Sequence, residues 1–360
     1  MHRPHRPSSR HRATSLLLAA GLVAATALSA CSASDASTRA DADDGTPTTT
    51  AAQVTVPETI PAGTTLHIGD QLDYLKTVLS VSGQDQDLDY DIEYASFVGG
   101  PPMLQAFQGG SVDAGFVAST PLIFAQASGQ DIAAVAGWAP ERGLGGLLSA
   151  DGSIKDWADV KGKRIAYQRG TSAEAAVLGG LDEAGLELSD ITTVDVPITQ
   201  INAALAGGSA DAGFTTEPLI SLYLDDHPDA TVAVEGSAIT DRASFLIASS
   251  KTLDDAGRTA ALADFTGRLV KAFAYLGEHK EDLADAIFVK QYGLTPERAT
   301  ELVEAGSGTT EFFPLPGDIL EPQQKVADLF AEAGQIPTKI DVAQEFDGRF
   351  NDVVAEAQGS

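Results

Sequence analysis

Four short segments of the chain carry the residue types from which an anion-binding site can be built. Each follows a strand-like segment and precedes a helical one, so each is a candidate helix N-terminus, where unpaired N–H groups carry a partial positive charge. Glycine lets the backbone approach a ligand closely, and Ser and Thr add hydroxyl donors. The alternative for each residue is an ordinary helix cap without ligand contact. The candidate residues are Gly99, Gly100, Ser119, Thr120, Gly170, Thr171, Ser172 and Thr216.

Three further polar side chains bear on the charge of the ligand. Asp70 and Gln71 follow the first predicted strand, and Glu217 precedes Pro218. A carboxylate that faces the ligand would repel a bare anion and attract an ammonium group, so a zwitterion or an amine-bearing solute is a second hypothesis. In the alternative interpretation, Asp70 and Glu217 face solvent or cap helices.

Composition and motifs argue against several other classes of protein. The 360 residues include 23 Lys and Arg against 51 Asp and Glu, a formal net charge of −28 that repels nucleic-acid phosphates. The sequence has no Gly-x-Ser-x-Gly elbow, no His-Glu-x-x-His and no phosphate loop. A single cysteine and scattered histidines do not make a metal site. We therefore expect no enzyme, no metal, no cofactor and no nucleic-acid partner.

The N-terminus predicts export and attachment to a lipid. A basic segment with four arginines precedes an apolar run at residues 16–28, which is shorter than the roughly 20 residues that span a bilayer. The run ends in Leu28-Ser29-Ala30-Cys31, and Cys31 is the only cysteine of the chain. This tetrapeptide resembles a bacterial lipobox, which implies a signal peptide at 1–30, acylation of Cys31 and a membrane anchor. The alternative is an ordinary secretory signal with an incidental cysteine.

Behind the signal peptide, the composition separates a tether from a folded body. Residues 32–61 are mainly Ser, Thr, Ala, Asp and Pro, which cannot bury enough apolar surface to fold, so we predict a disordered tether. The remainder is longer than one hydrophobic core usually organises, and we expect two domains.

Strand-like and helix-like segments alternate through the first part of the folded body. Such alternation predicts α/β lobes with mostly parallel sheets, which bind ligands beyond the carboxyl ends of their strands. After Thr252 the pattern is almost wholly helical. The predicted strands are 66–69, 88–95, 131–136, 144–149, 164–168, 191–196, 231–234 and 244–249. The predicted C-terminal helices are 265–278, 280–291, 296–304, 322–333 and 342–356.

A duplication links the two lobes. GGSVDAGF at residues 109–116 recurs as GGSADAGF at 207–214, and the match extends to Pro-Leu-Ile at 121–123 and 218–220. Each copy predicts a helix end, a glycine stop, a short buried strand and a new helix. Two copies predict two similar α/β lobes that face one another.

Several motifs resemble the substrate-binding proteins of ABC importers for aliphatic sulfonates, taurine and nitrate. In the first lobe these are FVGGPP at 97–102, STP at 119–121 and FAQA at 124–127; in the second, KGKRIA at 161–166 and GTS at 170–172. QKVAD at 324–328 and GQIP at 334–337 are similar to the C-terminal region of the sulfonate branch. The resemblance covers the chain from about residue 66 to the end.

This resemblance implies a type II periplasmic-binding-protein fold, with a mostly parallel sheet flanked by helices in each lobe and a helical C-terminal region. Residues 62–148 and 243–360 would form the first lobe and 149–242 the second, and the two would close on a small molecule about a hinge. The implied partners are a permease and an ATPase, with the receptor anchored as a monomer on the extracytoplasmic face of the membrane.

An aliphatic sulfonate or taurine is the leading ligand that the resemblance implies. Nitrate, bicarbonate and an amine-bearing solute that contacts Asp70 and Glu217 are the alternatives. The thiamine-pyrimidine synthases share this fold but use a cysteine-rich motif, and this chain has a single cysteine, so an enzyme of that kind is a remote alternative. A sensory module would normally be joined to a signalling partner, and none is fused here.

Overall fold

The computed structural model describes residues 56–236, 242–307 and 310–359. The predicted signal peptide, Cys31 and residues 32–55 of the predicted tether lie outside these residues. Residues 56–61 differ from the prediction of a disordered tether, because Val56 and Ile60 pack against the core of the first sheet. The ordered body therefore includes Val56, six residues before the predicted start at residue 62.

Eleven strands alternate with helices in the described part of the chain. The strands are β1 (Thr65–Gln71), β2 (Asp91–Phe97), β3 (Ala114–Ala118), β4 (Ile132–Pro140), β5 (Gly145–Ser149), β6 (Arg164–Tyr167), β7 (Thr192–Asp195), β8 (Ala212–Thr216), β9 (Thr231–Glu235), β10 (Ser244–Ser249) and β11 (Thr310–Phe313). The α-helices are α1 (Tyr74–Val81), α2 (Gly100–Gln108), α3 (Ser119–Ala127), α4 (Ser172–Glu183), α5 (Ile201–Ala206), α6 (Leu219–Asp226), α7 (Ser250–Asp254), α8 (Ala256–Glu278), α9 (Lys280–Leu283), α10 (Pro296–Leu302), α11 (Leu320–Glu332) and α12 (Asn351–Gln358).

Shorter helical segments connect these elements. Two have π-helical hydrogen bonding, Ala284–Gln291 and Val303–Ser307. The 3₁₀ turns are Trp157–Val160, Leu188–Asp190, Ile198–Gln200, Gly317–Ile319, Val342–Glu345 and Gly348–Phe350.

The strands form two sheets with the same internal order. The first sheet has the order β11-β4-β10-β3-β1-β2 and the second β7-β6-β8-β5-β9. Thus β2-β1-β3-β10-β4 corresponds to β7-β6-β8-β5-β9, and β11 is an additional edge strand. In each sheet one strand, β10 or β5, is antiparallel to both neighbours, and β11 is antiparallel to β4. All other strands of a sheet run in one direction, so the predicted fold class is confirmed and both sheets are mixed.

The chain passes between the sheets twice, between β4 and β5 and between β9 and β10. The predicted lobe boundaries fall at 148/149 and 242/243. Because β5 pairs with β8 and β9, residues 145–148 belong to the second sheet, ahead of the predicted boundary. After the second predicted boundary, β10 pairs with β3 and β4 in the first sheet.

The duplicated segment folds in the same way in both lobes. In each copy a helix ends before a glycine with positive φ, 67° at Gly110 and 65° at Gly208, where a side chain would be strained. The buried strands β3 and β8 follow, and α3 and α6 begin after them. The structure therefore confirms the helix end, glycine stop, strand and second helix expected from the sequence.

An aspartate in each copy fastens the repeated strand to its parallel neighbour. The Asp113 carboxylate accepts the backbone N–H of His67 in β1 at 3.0 Å, and the Asp211 carboxylate accepts that of Arg164 in β6 at 2.8 Å. The Arg164 guanidinium also donates to Asp211 at 2.6 Å, and this partner lowers the pKa of the Asp211 carboxyl. In both lobes, an equivalent aspartate thus joins the repeated strand to its parallel neighbour.

A hydrophobic cluster joins the two lobes. Ala175 and Leu178 of α4, in the second lobe, pack with Ile123 of α3 and with Val326 and Phe330 of α11. All five side chains are at most 4% exposed. The helices α3 and α4, which begin beside the ends of β3 and β6, therefore lie next to each other across the lobe boundary.

Two sequence expectations about the C-terminal region are wrong. Strand β11 lies in a region expected to be helical, and the single helix expected at 342–356 is divided into two 3₁₀ turns and α12. The helix is interrupted because Phe346 forms a β-bridge with Ala134 and the Asp347 N–H donates to the Ala134 carbonyl at 2.9 Å. The Asp347 carboxylate then accepts the N–H of Arg349 at 3.1 Å and starts a new turn.

Two helix glycines predict opposite effects of the same substitution. A β-carbon at Gly180 in α4 would lie 2.0 Å from Cε2 of Trp157, whereas one at Gly267 in α8 would lie 3.7 Å from Cγ1 of Val353. We expect Gly180→Ala to lower the free energy of unfolding by about 1–3 kcal/mol through overpacking. The control Gly267→Ala should raise it by up to about 1 kcal/mol through helix propensity. Denaturant titration measures both, and equal stability of the two variants would contradict this account.

Candidate functional site

A cavity of about 430 Å³ lies between the lobes, at the carboxyl ends of the two repeated strands. Phe116 and Ala118 of β3 line it from the first lobe, and Phe214, Thr215 and Thr216 of β8 line it from the second. The two glycine-rich copies therefore lead to one common cavity, as the duplication predicts.

Three helix N-termini meet at this cavity. Helices α2, α3 and α4 begin there, and their first turns are in direct contact. A β-carbon at Gly100, the first residue of α2, would lie 2.3 Å from Cγ of Pro121 in α3. One at Gly170, just before α4, would lie 3.2 Å from Cγ of Pro101 in α2. Small residues are thus required here for the helices to approach one another, whether or not a ligand is bound.

Gln168 connects the lobes at the cavity wall. Its side-chain amide donates to the carbonyl of Val98 at 3.3 Å, and its side-chain oxygen accepts the Ile198 N–H at 3.0 Å. Gly99 has a φ of 84°, and a β-carbon there would lie 2.9 Å from Nε2 of Gln168. Gly99 therefore provides space for a contact between lobes. The sequence analysis did not identify Gln168, because an amide at a strand end carries no distinctive pattern.

Six of the eleven predicted ligand contacts line the cavity, and five do not. Those in the wall are Gln71, Gly99, Gly100, Thr171, Ser172 and Thr216. Those outside it are Asp70, Ser119, Thr120, Gly170 and Glu217.

Several predicted donors are already used within the protein. The Thr171 hydroxyl donates to the Gln168 carbonyl at 2.7 Å and accepts the Ala173 N–H at 3.3 Å, as a helix cap. The Gly170 N–H donates to Oε2 of Glu174 at 2.7 Å. Burial raises the pKa of the Glu174 carboxyl, and the Gly170 N–H and the charge of Arg169 oppose that rise. The Gly170 N–H and the Thr171 hydroxyl thus already have hydrogen-bond partners within the protein. Ser172, the first residue of α4, also lines the cavity.

The hydroxyl groups near the cavity differ in what surrounds them. Ser119 and Thr120 are 0% exposed and lie behind Ala118 and Pro121, and their hydroxyls have no hydrogen-bond partner among the described residues. Thr215 lines the cavity, is 1% exposed, and its hydroxyl likewise has no described partner. Thr215 is not among the predicted contacts, although its neighbour Thr216 is, and both residues line the cavity.

Asp70 caps a helix instead of facing the cavity. Its carboxylate accepts the N–H groups of Gln71 at 2.7 Å, Leu75 at 2.9 Å and Lys76 at 3.0 Å, at the start of α1. The residue is 0% exposed, and burial raises the pKa of the carboxyl while the three N–H donors oppose that rise. The capping alternative describes this position, and the prediction of a ligand contact is corrected.

Glu217 is also directed away from the cavity. Its carboxylate accepts the N–H and the hydroxyl of Ser221 at 3.1 and 2.6 Å, and it lies 3.9 Å from the guanidinium of Arg298. Glu217 and Arg298 line a neighbouring groove, which shares Arg242 and the segments around Leu144 and Gly236 with the cavity. Glu217 therefore caps α6 and pairs with a residue of the first lobe, which corrects its predicted role as a ligand contact.

The charges and rings of the wall complete its chemistry. Among the described residues that line the cavity, none is Asp or Glu, and Arg242 is the one with a positive charge. Arg242 also donates to the carbonyl of Glu141. Aromatic rings of Tyr74, Phe116, Trp138 and Phe214 also line the cavity.

Neither a membrane-spanning helix nor a metal-binding cluster is present in the part of the chain that the structure describes. No helix in it is both long and apolar enough to cross a membrane. It contains no group of three or more His, Cys, Asp or Glu side chains that could hold a metal ion.

Solved structures with this architecture bind ligands in a two-lobed fold. The alkanesulfonate-binding protein SsuA from Xanthomonas axonopodis pv. citri, bound to MOPS, matches with a TM-score of 0.71 and 28% identity, covering 80% of this chain and 99% of that one. The periplasmic aliphatic sulphonate binding protein SsuA from Escherichia coli matches with a TM-score of 0.68 and 29% identity, covering 79% and 98%. The chain has the type II periplasmic-binding-protein fold.

Sequence comparison identifies the family. A "Putative aliphatic sulfonates-binding protein" of Escherichia coli (strain K12) is 31% identical over 285 residues, which is 78% of this chain and 87% of that protein. A protein of the same description from Bacillus subtilis (strain 168) is 28% identical over 268 residues, 72% and 77% of the two chains. The family model described as NMT1/THI5 like matches residues 84–281. The chain belongs to the NMT1/THI5-like family, and its relatives are binding proteins of the kind that the sequence motifs resemble. The resemblance seen in the sequence is therefore confirmed.

The capping role of Asp70 predicts a loss of stability on its removal. Asp70→Ala leaves three backbone N–H groups, those of Gln71 and of Leu75 and Lys76 in α1, without their acceptor, and we expect the free energy of unfolding to fall by about 1–3 kcal/mol. Asp89→Ala, at an exposed aspartate of the same lobe, is the matched control and should change stability by less than about 0.5 kcal/mol. Denaturant titration of both variants tests this. A variant at Asp70 that is as stable as the parent chain would show that the carboxylate is not a structural cap.

Proposed function

We propose that this protein is an extracytoplasmic receptor that delivers an organic sulfonate to an ABC importer. The observation that carries the proposal is the buried, unpartnered hydroxyl of Thr215 in the cavity wall, beside the N-terminus of α4. A buried hydroxyl without a partner is costly, and an anionic oxygen in the cavity would accept its hydrogen bond. The SsuA proteins to which the chain is similar are named for the same class of ligand.

The wall offers the donors that a sulfonate needs. A sulfonate is a fixed anion with three acceptor oxygens, and helix N-termini favour such groups. The available donors are the first turn of α4 at Ser172, the hydroxyl of Thr215 and the guanidinium of Arg242, whereas the Thr216 hydroxyl donates to the Glu217 carbonyl at 3.3 Å. Hydrogen bonds to a charged group contribute about 1.5–3 kcal/mol each, so three or four support the roughly 8 kcal/mol of a micromolar complex.

The alternative ligands fit this wall less well. An amine-bearing solute was expected to contact Asp70 and Glu217, and neither carboxylate reaches the cavity. Nitrate and bicarbonate are small, and they would leave most of a cavity of about 430 Å³ and its aromatic surface unfilled.

The remaining parts of the proposal concern location and partners. We infer from the N-terminal sequence that Cys31 is lipidated after removal of a signal peptide, and that the acidic tether holds a monomeric receptor near its permease and ATPase. The protein itself performs no reaction in this proposal, and the relatives named above are binding proteins.

Substitution of Thr215 tests the anion site. Thr215→Val removes the unpartnered hydroxyl at nearly constant volume, so the ligand-free protein should lose no stability, while a lost charged hydrogen bond should weaken ethanesulfonate binding about 10- to 100-fold. Thr231→Val is the control, since the Thr231 hydroxyl is also buried and unpartnered but lies outside the cavity wall. Isothermal titration calorimetry measures both affinities. Unchanged affinity in the Thr215 variant would remove this hydroxyl from the site.

Substitution of Cys31 tests the anchor. In a bacterial host, Cys31→Ser should abolish incorporation of labelled palmitate and move the protein from the membrane fraction to the soluble extracytoplasmic fraction. Ser32→Ala, which keeps the cysteine, should remain labelled and membrane-bound. Acylation that persists in the Cys31 variant would disprove lipidation at this residue.

A further inference from the structure

We propose that the preferred ligand is an arylsulfonate, whose aromatic ring is held between aromatic side chains from the two lobes. This inference rests on the proposed function and specifies the organic part of the ligand, for which the anion donors give no information.

The first lobe supplies a continuous aromatic surface to the cavity. Tyr74, Phe116 and Trp138 all line the wall, and they come from α1, β3 and β4 respectively. The ring centroids of Tyr74 and Phe116 are 5.8 Å apart, and those of Phe116 and Trp138 are 6.1 Å apart, with interplanar angles of 45° and 38°. Tyr74 and Phe116 are partly exposed and Trp138 is buried, so the first two rings provide the surface that a ligand can cover.

This surface is held rigidly from behind. Trp138 packs against Phe273 of α8 and Phe312 of β11, with ring centroids 5.8 and 5.5 Å apart. The Phe116 carbonyl accepts the side-chain amide of Gln71 at 2.8 Å, which fixes the strand that carries the ring. Gln71, predicted as a ligand contact, thus has an internal partner and supports the aromatic wall.

The second lobe supplies a ring at the equivalent position. Phe116 and Phe214 are the last residues of the two duplicated segments, and each lines the same cavity from its own lobe. Phe214 is 6% exposed and stacks on Trp157, with centroids 6.5 Å apart and an interplanar angle of 13°. The duplication therefore places one aromatic residue on each side of the ligand, and closure of the lobes would enclose a flat ring between them.

The size of the cavity also favours a ring. An apolar cavity of about 150 Å³ is sufficient for benzene. The cavity of about 430 Å³ seen here has room for an aromatic ring together with a sulfonate group. A two-carbon chain would leave the aromatic surface largely uncovered, and uncovered apolar surface contributes no binding energy.

The charges of the wall disfavour taurine. Its ammonium group would have to leave water for a cavity whose described lining contains no carboxylate. Asp70 and Glu217, two acids adjacent to wall residues in sequence, are occupied by backbone N–H groups and by Ser221 with Arg298. An uncharged aromatic group meets no such cost.

A ligand series measured by isothermal titration calorimetry on the purified chain tests the inference. We expect benzenesulfonate and 2-naphthalenesulfonate to bind at least tenfold more tightly than ethanesulfonate, and taurine to bind most weakly. If ethanesulfonate or taurine binds as tightly as benzenesulfonate, the inference is wrong and the proposed function stands. If no sulfonate of the series binds, the proposed function itself fails.

Variants distinguish ring contact from a general preference for larger ligands. Phe116→Leu should reduce the ratio of benzenesulfonate to ethanesulfonate affinity at least fivefold, because leucine offers no ring face to the aromatic group. Phe107→Leu is the matched control, since Phe107 is buried in the same lobe outside the cavity wall, and it should preserve the ratio. A ratio that is preserved in the Phe116 variant would overturn the aromatic contact.

Fluorescence gives an independent readout, because the chain has two tryptophans and one of them lines the cavity. Trp157→Phe leaves Trp138 as the reporter, and its emission should change when 2-naphthalenesulfonate is added at saturation. Trp138→Phe should remove most of that change. An emission change that is retained without Trp138 and lost without Trp157 would contradict the proposed position of the ring.

Discussion

The close approach of three helix N-termini is the constraint on which the rest of the site depends. Helices α2, α3 and α4 can meet only because Gly100 and Gly170 have no side chain at the points of contact with Pro121 and Pro101. The partial positive charges of the three N-termini therefore add at one point, and this is favourable only if a negatively charged group lies there. In the ligand-free protein the carboxylate of Glu174 partly fulfils this role, because it accepts the Gly170 N–H beside the start of α4.

The duplication explains how two lobes present complementary surfaces. In each lobe the repeated strand pairs with the antiparallel strand next to it, β3 with β10 and β8 with β5, and both of these strands follow a passage between the lobes. The ends of β3 and β8 are consequently fixed relative to the connecting segments, and Asp113 and Asp211 fasten the same two strands to their parallel neighbours. Movement of one lobe thus carries its repeated phenylalanine toward or away from the other.

The sequence was sufficient for the fold but only partly for the site. Alternation and glycine stops are local signals, and they predicted most of the strands and the duplicated segment, while the family was predicted from a resemblance of motifs. The direction of a side chain at a strand end is not local: Thr215 faces the cavity and Glu217 faces a groove shared with Arg298. Asp70 was misassigned because the helix that it caps begins four residues later, behind Leu72 and Asp73 with their positive φ angles, and no sequence pattern predicts that turn.

The positions of the two misassigned acids bear directly on specificity. In a strongly acidic protein, an anion site must be separated from the surrounding carboxylates, because an ionised group within a few ångströms opposes binding. Asp70 and Glu217 lie next to cavity residues in sequence, and each carboxylate has local partners: the N–H groups of Gln71, Leu75 and Lys76 for Asp70, and Ser221 and Arg298 for Glu217. The groups that could have repelled the ligand instead hold α1 and α6 in place. The same helix capping that keeps these carboxylates out of the described cavity wall also positions the aromatic surface, because the capped helix α1 carries Tyr74.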